Sequence, residues 1–453
     1  MLSFIKNKVL TFWTVGHERT LKVKRNIFYT FLIKGISVLI GFMLVPLTIH
    51  YLNDVKYGIW ITIASLVAWI NTFDIGLSNG LRNKLAHGLA INERDNMVEY
   101  VSTTYAMLFA IALAVFVLFF AVGSFFNWNQ LLNVPASVNF NIWAIFLVAL
   151  GAFCIQFMLQ PLNSILIATH QPFKSSLILL IGQVLTYILV YILTLYTHGN
   201  LWLLVFVVAG SPVVVLLLAN VFLFATSLKD FVPRMNAIHL QSAKSLLNVG
   251  GVFFLIQIGA LVLYETDNIV ITRILGPEHV TVFNVPFKYF SIITIIFTII
   301  ITPYWSAFTD AYARNDFDWI KRSVKKMRLL WLGFTALALV LYLGADLFYK
   351  LWVKEMVVVP HKLSLTIAIY TITQTWLMLH AYLLNGVGKL KVQLIFVLVT
   401  GVINIPLSIW LVKIYGLPGT VLANIAVMVF MNILITWQCQ LIINKKATGI
   451  WNK

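Results

Sequence analysis

Apolar residues run along this chain in long blocks, separated by short clusters of charged residues, Gly, Pro, Asn and Ser. An α-helix rises about 1.5 Å per residue, so roughly 20 apolar positions cross the hydrocarbon of a bilayer. Twelve blocks of that kind are legible, at about 28–50, 57–80, 101–126, 140–167, 175–196, 201–226, 246–273, 280–303, 329–349, 363–384, 392–412 and 417–442. Nothing in them resembles the alternating segments of about ten residues that build a membrane barrel. Helices then remain the way to satisfy so much backbone in lipid. The expected fold is all-α: a polytopic membrane protein of about twelve transmembrane helices.

Composition removes the soluble alternatives. Hydrophobic residues make up 60% of the 453 positions and charged residues 10%, against roughly 25% charged in a globular protein. So few charges cannot cover a water-facing surface. Soluble enzymes, secreted disulfide scaffolds and nucleic-acid-binding domains are set aside. Cys154 and Cys439 both lie in apolar runs and define neither a disulfide nor a metal site. The short apolar run from Val9 to Val15 is followed by charges rather than a small-residue cleavage site, so it reads as an interfacial helix, not a signal peptide.

The net charge of +17 then becomes a statement about orientation. With the N-terminus cytoplasmic, 24 Lys and Arg fall on the inner side, six on the outer side, and Lys34 and Lys288 lie within spans. Such a bias is the positive-inside signature, and it puts both termini in the cytoplasm. The longest inner loops are expected at Ser227–Lys244 and Tyr304–Arg328. Neither leaves room for an extramembrane catalytic domain.

Two internal matches organise the chain. Leu52-Asn-Asp-Val-Lys-Tyr-Gly-Ile-Trp60 pairs with Leu275-Gly-Pro-Glu-His-Val-Thr-Val-Phe283 at an offset of 223 residues, and Leu166 to Lys174 pairs with Leu384 to Lys391 at about 218. Offsets near half the length imply two six-helix lobes, as in parallel-repeat transporters with a central cavity between halves. The expected organisation is a basic segment 1–26, an N-lobe 27–226, a connector 227–245, a C-lobe 246–442 and a tail 443–453.

Charge inside a span costs a few kcal/mol on insertion scales and marks candidates for function. Lys34 and Lys288 sit about two turns into spans one and eight, with Arg82 and Arg314 at the inner mouth and Arg273 at the outer. A cationic path of this kind suits an anionic ligand such as a phosphate or diphosphate. The acids are Asp74, Glu265 and Asp267. Each charge also has a plainer reading, in which Lys34 snorkels to the headgroups, Asp74 pairs with Arg82, and Glu265 and Asp267 reach the interface.

Trp69, Asn71, Gln257, Tyr264, Gln374 and His380 supply the aromatic and amide groups that could meet sugar rings. Interfacial anchoring explains membrane aromatics equally well. Catalytic motifs are not found: no HExxH, no CxxC, no complete phosphate loop, and no paired loop acids for a divalent metal. No metal, no cofactor and no enzymatic activity are expected.

The runs Pro46-Leu-Thr-Ile-His-Tyr-Leu-Asn-Asp-Val-Lys-Tyr-Gly-Ile-Trp60 and Phe73-Asp-Ile-Gly-Leu-Ser-Asn-Gly-Leu-Arg-Asn-Lys-Leu85 resemble the start of the bacterial polysaccharide flippases, the O-antigen and capsule repeat-unit translocases of Wzx type. Asp267-Asn-Ile-Val-Ile-Thr-Arg-Ile-Leu-Gly-Pro277 and Tyr415-Gly-Leu-Pro-Gly419 are similar to later segments of the same family. The motifs are loose and shared across the multidrug/oligosaccharidyl-lipid/polysaccharide exporter superfamily. The resemblance implies two six-helix lobes around a cavity, in the bacterial inner membrane, exporting a polyprenyl-diphosphate-linked glycan from the inner to the outer leaflet. It implies that Lys34, Arg82, Lys288, Arg273 and Arg314 hold the diphosphate while Asp74 and Asp267 organise them. A polysaccharide polymerase and chain-length machinery would be its partners. The second half departs from the family pattern at Val280-Thr281, where a Gly before an aromatic is common. A cation-coupled drug extruder of the same superfamily and a membrane-embedded polymerase enzyme stay open as alternatives.

Overall fold

The structure is a computed structural model describing residues 18–68, 76–91, 95–135, 140–169, 171–239, 242–243, 266–354 and 356–452. Among the described residues there are helices and turns but no strand. The helices are α1 (Glu18–Leu52), α2 (Asp54–Ala68), α3 (Leu77–Ile91), α4 (Asp95–Gly123), α5 (Trp128–Leu131), α6 (Ile142–Leu159), α7 (Pro161–Ala168), α8 (Pro172–Tyr196) and α9 (Leu201–Ala225). A helical stretch over 266–274 precedes α10 (Pro277–Ala313), α11 (Phe317–Leu343), α12 (Ala345–Trp352), α13 (His361–Val387), α14 (Lys391–Tyr415) and α15 (Pro418–Ile443). Ten helices among the described residues are long and apolar enough to cross a membrane. Spans two and seven of the sequence reading run into 69–75 and 244–265, outside the described residues.

The chain divides into two compact units, Met1–Tyr51 with Phe73–Phe125 and Trp143–Gly251, and Leu52–Thr72 with Phe126–Ile142 and Val252–Lys453. In the first unit α8 packs on α9, where Gly182 lets the backbone of Pro212 approach. The amide of Asn220 on α9 accepts from the Tyr105 hydroxyl at 2.6 Å and donates to the Leu216 carbonyl at 2.8 Å. The connector after α9 is not a free linker. The N–H of Arg234 donates to Ser102 Oγ at 2.9 Å and that of His239 to Thr103 Oγ1 at 3.1 Å, while the Ser242 hydroxyl donates to the Glu99 carboxylate.

In the second unit α2 lies against α10. A Cβ added to Gly58 would stand 1.7 Å from the Pro277 carbonyl oxygen. Thr281 donates its hydroxyl to the Asp54 carbonyl at 2.6 Å. These contacts are reciprocal: the repeat offset of 223 carries Asp54 onto Pro277 and Gly58 onto Thr281. Position 281, where the family pattern expects Gly, thus holds a side chain that reaches the facing carbonyl, and Gly58 supplies the clearance on the other side. Further in, Thr62 and Thr272 hydroxyls meet at 2.6 Å, Asn268 donates to Ser65 Oγ at 2.8 Å, and Asn284 donates to Asn268 Oδ1 at 2.9 Å.

Both sequence matches carry matching backbone geometry. Asn53 (φ 79°) and Gly276 (φ 109°) occupy corresponding positions in the left-handed region, each just before a helix starts. At the second pair, the N–H of Gln171 donates to the Leu166 carbonyl and that of Lys389 to the Leu384 carbonyl, at 2.7 and 3.1 Å. This is the same six-residue helix-closing bond at one offset.

One expectation needs correction. Tyr304–Arg328 is not a loop: α10 continues to Ala313 and α11 begins at Phe317, with only Arg314, Asn315 and Asp316 between them. The charges misled the reading, because a helix can run past the bilayer with a solvated end. Asp316 caps the new helix by accepting from the Trp319 N–H at 3.0 Å.

Gly58→Ala is expected to force α2 off α10, because the clash is with backbone that cannot rotate away. A loss of at least about 1–3 kcal/mol is the range for overpacking. A thermal melt of the purified protein should show a lower midpoint for Gly58→Ala, while Gly210→Ala, which meets nothing within 4 Å, should leave it unchanged or raised.

Candidate functional site

The candidate cations take different positions. Lys34 on α1 and Arg82 on α3 belong to the first unit and are exposed. Arg273, Lys288 and Arg314 belong to the second. Lys288 is half-buried, eleven residues into α10, about 16 Å along its axis. Arg273 is exposed and its guanidinium donates to the Gln130 carbonyl beside α5. Arg314 is exposed in the turn between α10 and α11. Asp74, Glu265, Trp69, Asn71, Gln257 and Tyr264 lie outside the described residues.

Asp267 is 3% exposed and accepts a hydrogen bond from Asn424 Nδ2 at 2.6 Å. Asn424 in turn accepts from Asn404 Nδ2 at 2.9 Å. The acid therefore sits at the head of an amide chain linking 266–274, α15 and α14. A carboxylate costs several kcal/mol to bury, and hydrogen bonds from amides offset part of that cost. Among the described residues no group of three His, Cys, Asp or Glu could hold a metal ion.

Gln374 is half-buried on α13. His380, on the same helix, is fully buried. Its Nδ1 lies 3.0 Å from the Trp376 carbonyl, and its Nε2 lies 3.1 Å from Arg328 Nη2. A carbonyl can only accept and a guanidinium can only donate, so the proton is on Nδ1 and the ring is neutral. His380 is thus the support of an arginine.

Arg328 lies within α11 rather than in a loop. Its guanidinium carbon also stands 5.5 Å from the centre of the Trp376 ring, within cation–π range. Trp331, one turn further along α11, meets Trp376 edge-on at 4.7 Å between ring centres. A cavity of about 620 Å³ opens here between α11, α13 and α15, with Trp331, Trp376, Asn432, Thr436, Trp437 and Gln440 among its walls. The α15 contribution has a sequence signal that was missed: Asn432, Thr436 and Gln440 recur every four residues on one face of an otherwise apolar helix.

Residues 23–309 match the family model described as polysaccharide biosynthesis protein. A proposed O-antigen export protein of Yersinia pseudotuberculosis is 24% identical over 414 residues, covering 86% of this chain and 89% of its own. A proposed O-antigen transporter of Salmonella typhimurium is 22% identical over 373 residues, covering 79% and 82%. Among solved structures, an inward-facing multidrug resistance MATE family transporter of the MOP superfamily superposes with a TM-score of 0.70 at 16% identity, covering 93% of this chain and 96% of that one. The outward-facing conformation of such a transporter gives 0.63 at 15% identity, covering 97% and 99%. At that identity the structural likeness establishes the fold and nothing more. The family match spans most of the sequence, and this chain belongs to the polysaccharide biosynthesis protein family.

Proposed function

We propose that this protein moves polyprenyl-diphosphate-linked oligosaccharide repeat units from the inner to the outer leaflet of the bacterial cytoplasmic membrane by alternating access. The observation that carries the reading is the match, over more than three quarters of the chain, to two proteins named for O-antigen export or transport. The cations add chemical support. A diphosphate leaving water must replace its hydration with Lys and Arg contacts, while the lipid tail stays in hydrocarbon and the glycan passes through a wet cavity. Lys288, half-buried within a membrane-crossing helix, and Lys34 on α1 are the first residues assigned to that task, followed by Arg82, Arg273 and Arg314. Asp74 and Asp267 would organise them. The delivered units would feed a polysaccharide polymerase and its chain-length machinery.

A cation-coupled extruder is the competing reading, and one observation favours it: Asp267 is buried among amides, as a carboxylate exchanging a proton or metal cation would be. A membrane-embedded polymerase has no comparable support.

Deleting the gene in its own host should cause intact lipid-linked repeat units to accumulate on the inner leaflet. Wild-type protein should clear them, whereas Lys34→Ala and Lys288→Ala, at normal membrane levels, should not, and Lys34→Arg should retain part of the activity. Unchanged lipid-linked glycan with reduced dye efflux would transfer the assignment to the extruder.

Asp267→Asn keeps the shape of the side chain and removes its charge. If the acid serves transport, clearance of repeat units should fall at least tenfold with the protein still folded; undiminished clearance would leave Asp267 a packing residue. A reporter fused after Lys453 should read cytoplasmic, and an outward reading would break the twelve-span topology.

A further inference from the structure

The groove between α11, α13 and α15 is not needed by the transport reading, and its chemistry is specific. Two of its indole donors are already used: Trp331 Nε1 donates to the Ile372 carbonyl at 3.1 Å and Trp376 Nε1 to Thr436 Oγ1 at 3.0 Å. Asn432 donates to the Thr373 carbonyl at 3.0 Å, but its Oδ1 is buried without a donor. Arg328 Nε is buried without an acceptor, and among the described residues no carboxylate lies within ion-pair distance of this side chain. A permanent cation beside a neutral His and a Trp face therefore has no counter-charge among the described residues.

The position of the groove narrows the choice of ligand. Lys321, Lys325 and Arg328 recur at i, i+4 and i+7 along α11, a stripe running from its basic end to the guanidinium that lies against the groove wall at Trp376. The far end of α15 meets the basic end of α11, with Lys445 Nζ 4.6 Å from the Phe317 ring centre, and Trp437 of the groove stacks on Trp451 at 5.6 Å. The mouth is apolar: Val429, Ile433 and Trp437 are 45%, 61% and 54% exposed on a membrane-crossing helix. An exposed row of that kind faces hydrocarbon rather than water. Basic pockets between membrane helices near the headgroup level are suited to anionic lipid headgroups.

We propose that this groove binds an anionic phospholipid of the surrounding bilayer. The phosphate is held by Arg328 with Lys325 and Lys321 leading to it, and a headgroup hydroxyl donates to Asn432 Oδ1. An acyl chain lies along Ile372, Val429 and Ile433. The proposal is independent of what the protein transports.

The test uses the purified full-length protein in detergent, titrated with palmitoyl-oleoyl phosphatidylglycerol or phosphatidylcholine and read by native mass spectrometry. Phosphatidylglycerol should bind at least about tenfold more tightly than phosphatidylcholine, and Arg328→Gln should abolish that preference, consistent with loss of one charge-assisted contact. Arg328→Lys should retain part of it. Ile433→Trp, which fills the groove from its exposed mouth and removes no hydrogen bond, should weaken phosphatidylglycerol binding even if Arg328→Gln fails to fold. Equal binding of both lipids, or binding unchanged in Ile433→Trp, would overturn the proposal. Displacement of phosphatidylglycerol by polyprenyl phosphate at lower concentration would overturn it too, assigning the groove to the transported lipid.

Discussion

A hydrocarbon solvent offers no hydrogen bonds, and that constraint shapes every polar position in this protein. A side-chain hydroxyl or amide on a membrane helix must find its partner within the protein. Serines and threonines of the long helices turn back onto their own backbones, as Thr104, Thr186, Ser211 and Thr371 do by donating to the carbonyl four residues earlier. Amides carry more donors and acceptors than one such bond uses, so they also reach across. Asn220 ties α9 to Tyr105 on α4, Asn268 ties its helix to α2 and α10, and Asn404 and Asn424 tie α14 and α15 to Asp267. Polar groups in lipid therefore act as helix-to-helix fasteners first, and only those left over are candidates for a ligand.

The close approach of α2 to α10 shows how small residues serve the same end. Lipid tails are as apolar as leucine, so membrane helices gain little from hydrophobic burial against each other and more from backbone proximity and hydrogen bonds. Gly58 gives that proximity and Thr281 the hydrogen bond, at positions that the internal repeat relates. The approach is reciprocal, since Thr281 reaches the Asp54 carbonyl while Gly58 makes room for that of Pro277. The substitution of Thr for the family's usual Gly at position 281 is then a division of labour between copies rather than a lost motif.

Much of this was legible from the chain. Hydropathy located the membrane helices because the bilayer imposes their length, and the offset of 223 located the matched turns because Asn53 and Gly276 are among the residue types that tolerate positive φ. Two things were not legible. Charge density made 304–328 look like loop, since helix continuity past the bilayer depends on capping by Asp316 and not on hydropathy. Partnering was the other: nothing in the neighbours of His380 along the chain announces Arg328, which comes 52 residues earlier. Contacts between helices far apart in sequence are set by packing, which a single sequence does not display.

Position and local contacts also rank the cations. Arg273 already spends its guanidinium on the Gln130 carbonyl, fixing the stretch beside α5, so its loss would disturb local structure as well as any anion contact. Lys84 lies 5.6 Å from the Tyr100 ring centre, and Lys56 lies 5.3 Å from that of Phe140, so both have aromatic contacts on water-facing ends. Lys288 differs, because it is half-buried on a helix that crosses the membrane, where an ammonium costs a few kcal/mol to insert. Depth along α10 therefore ranks Lys288 above the exposed Lys34, Arg82, Arg273 and Arg314 as the cation to test.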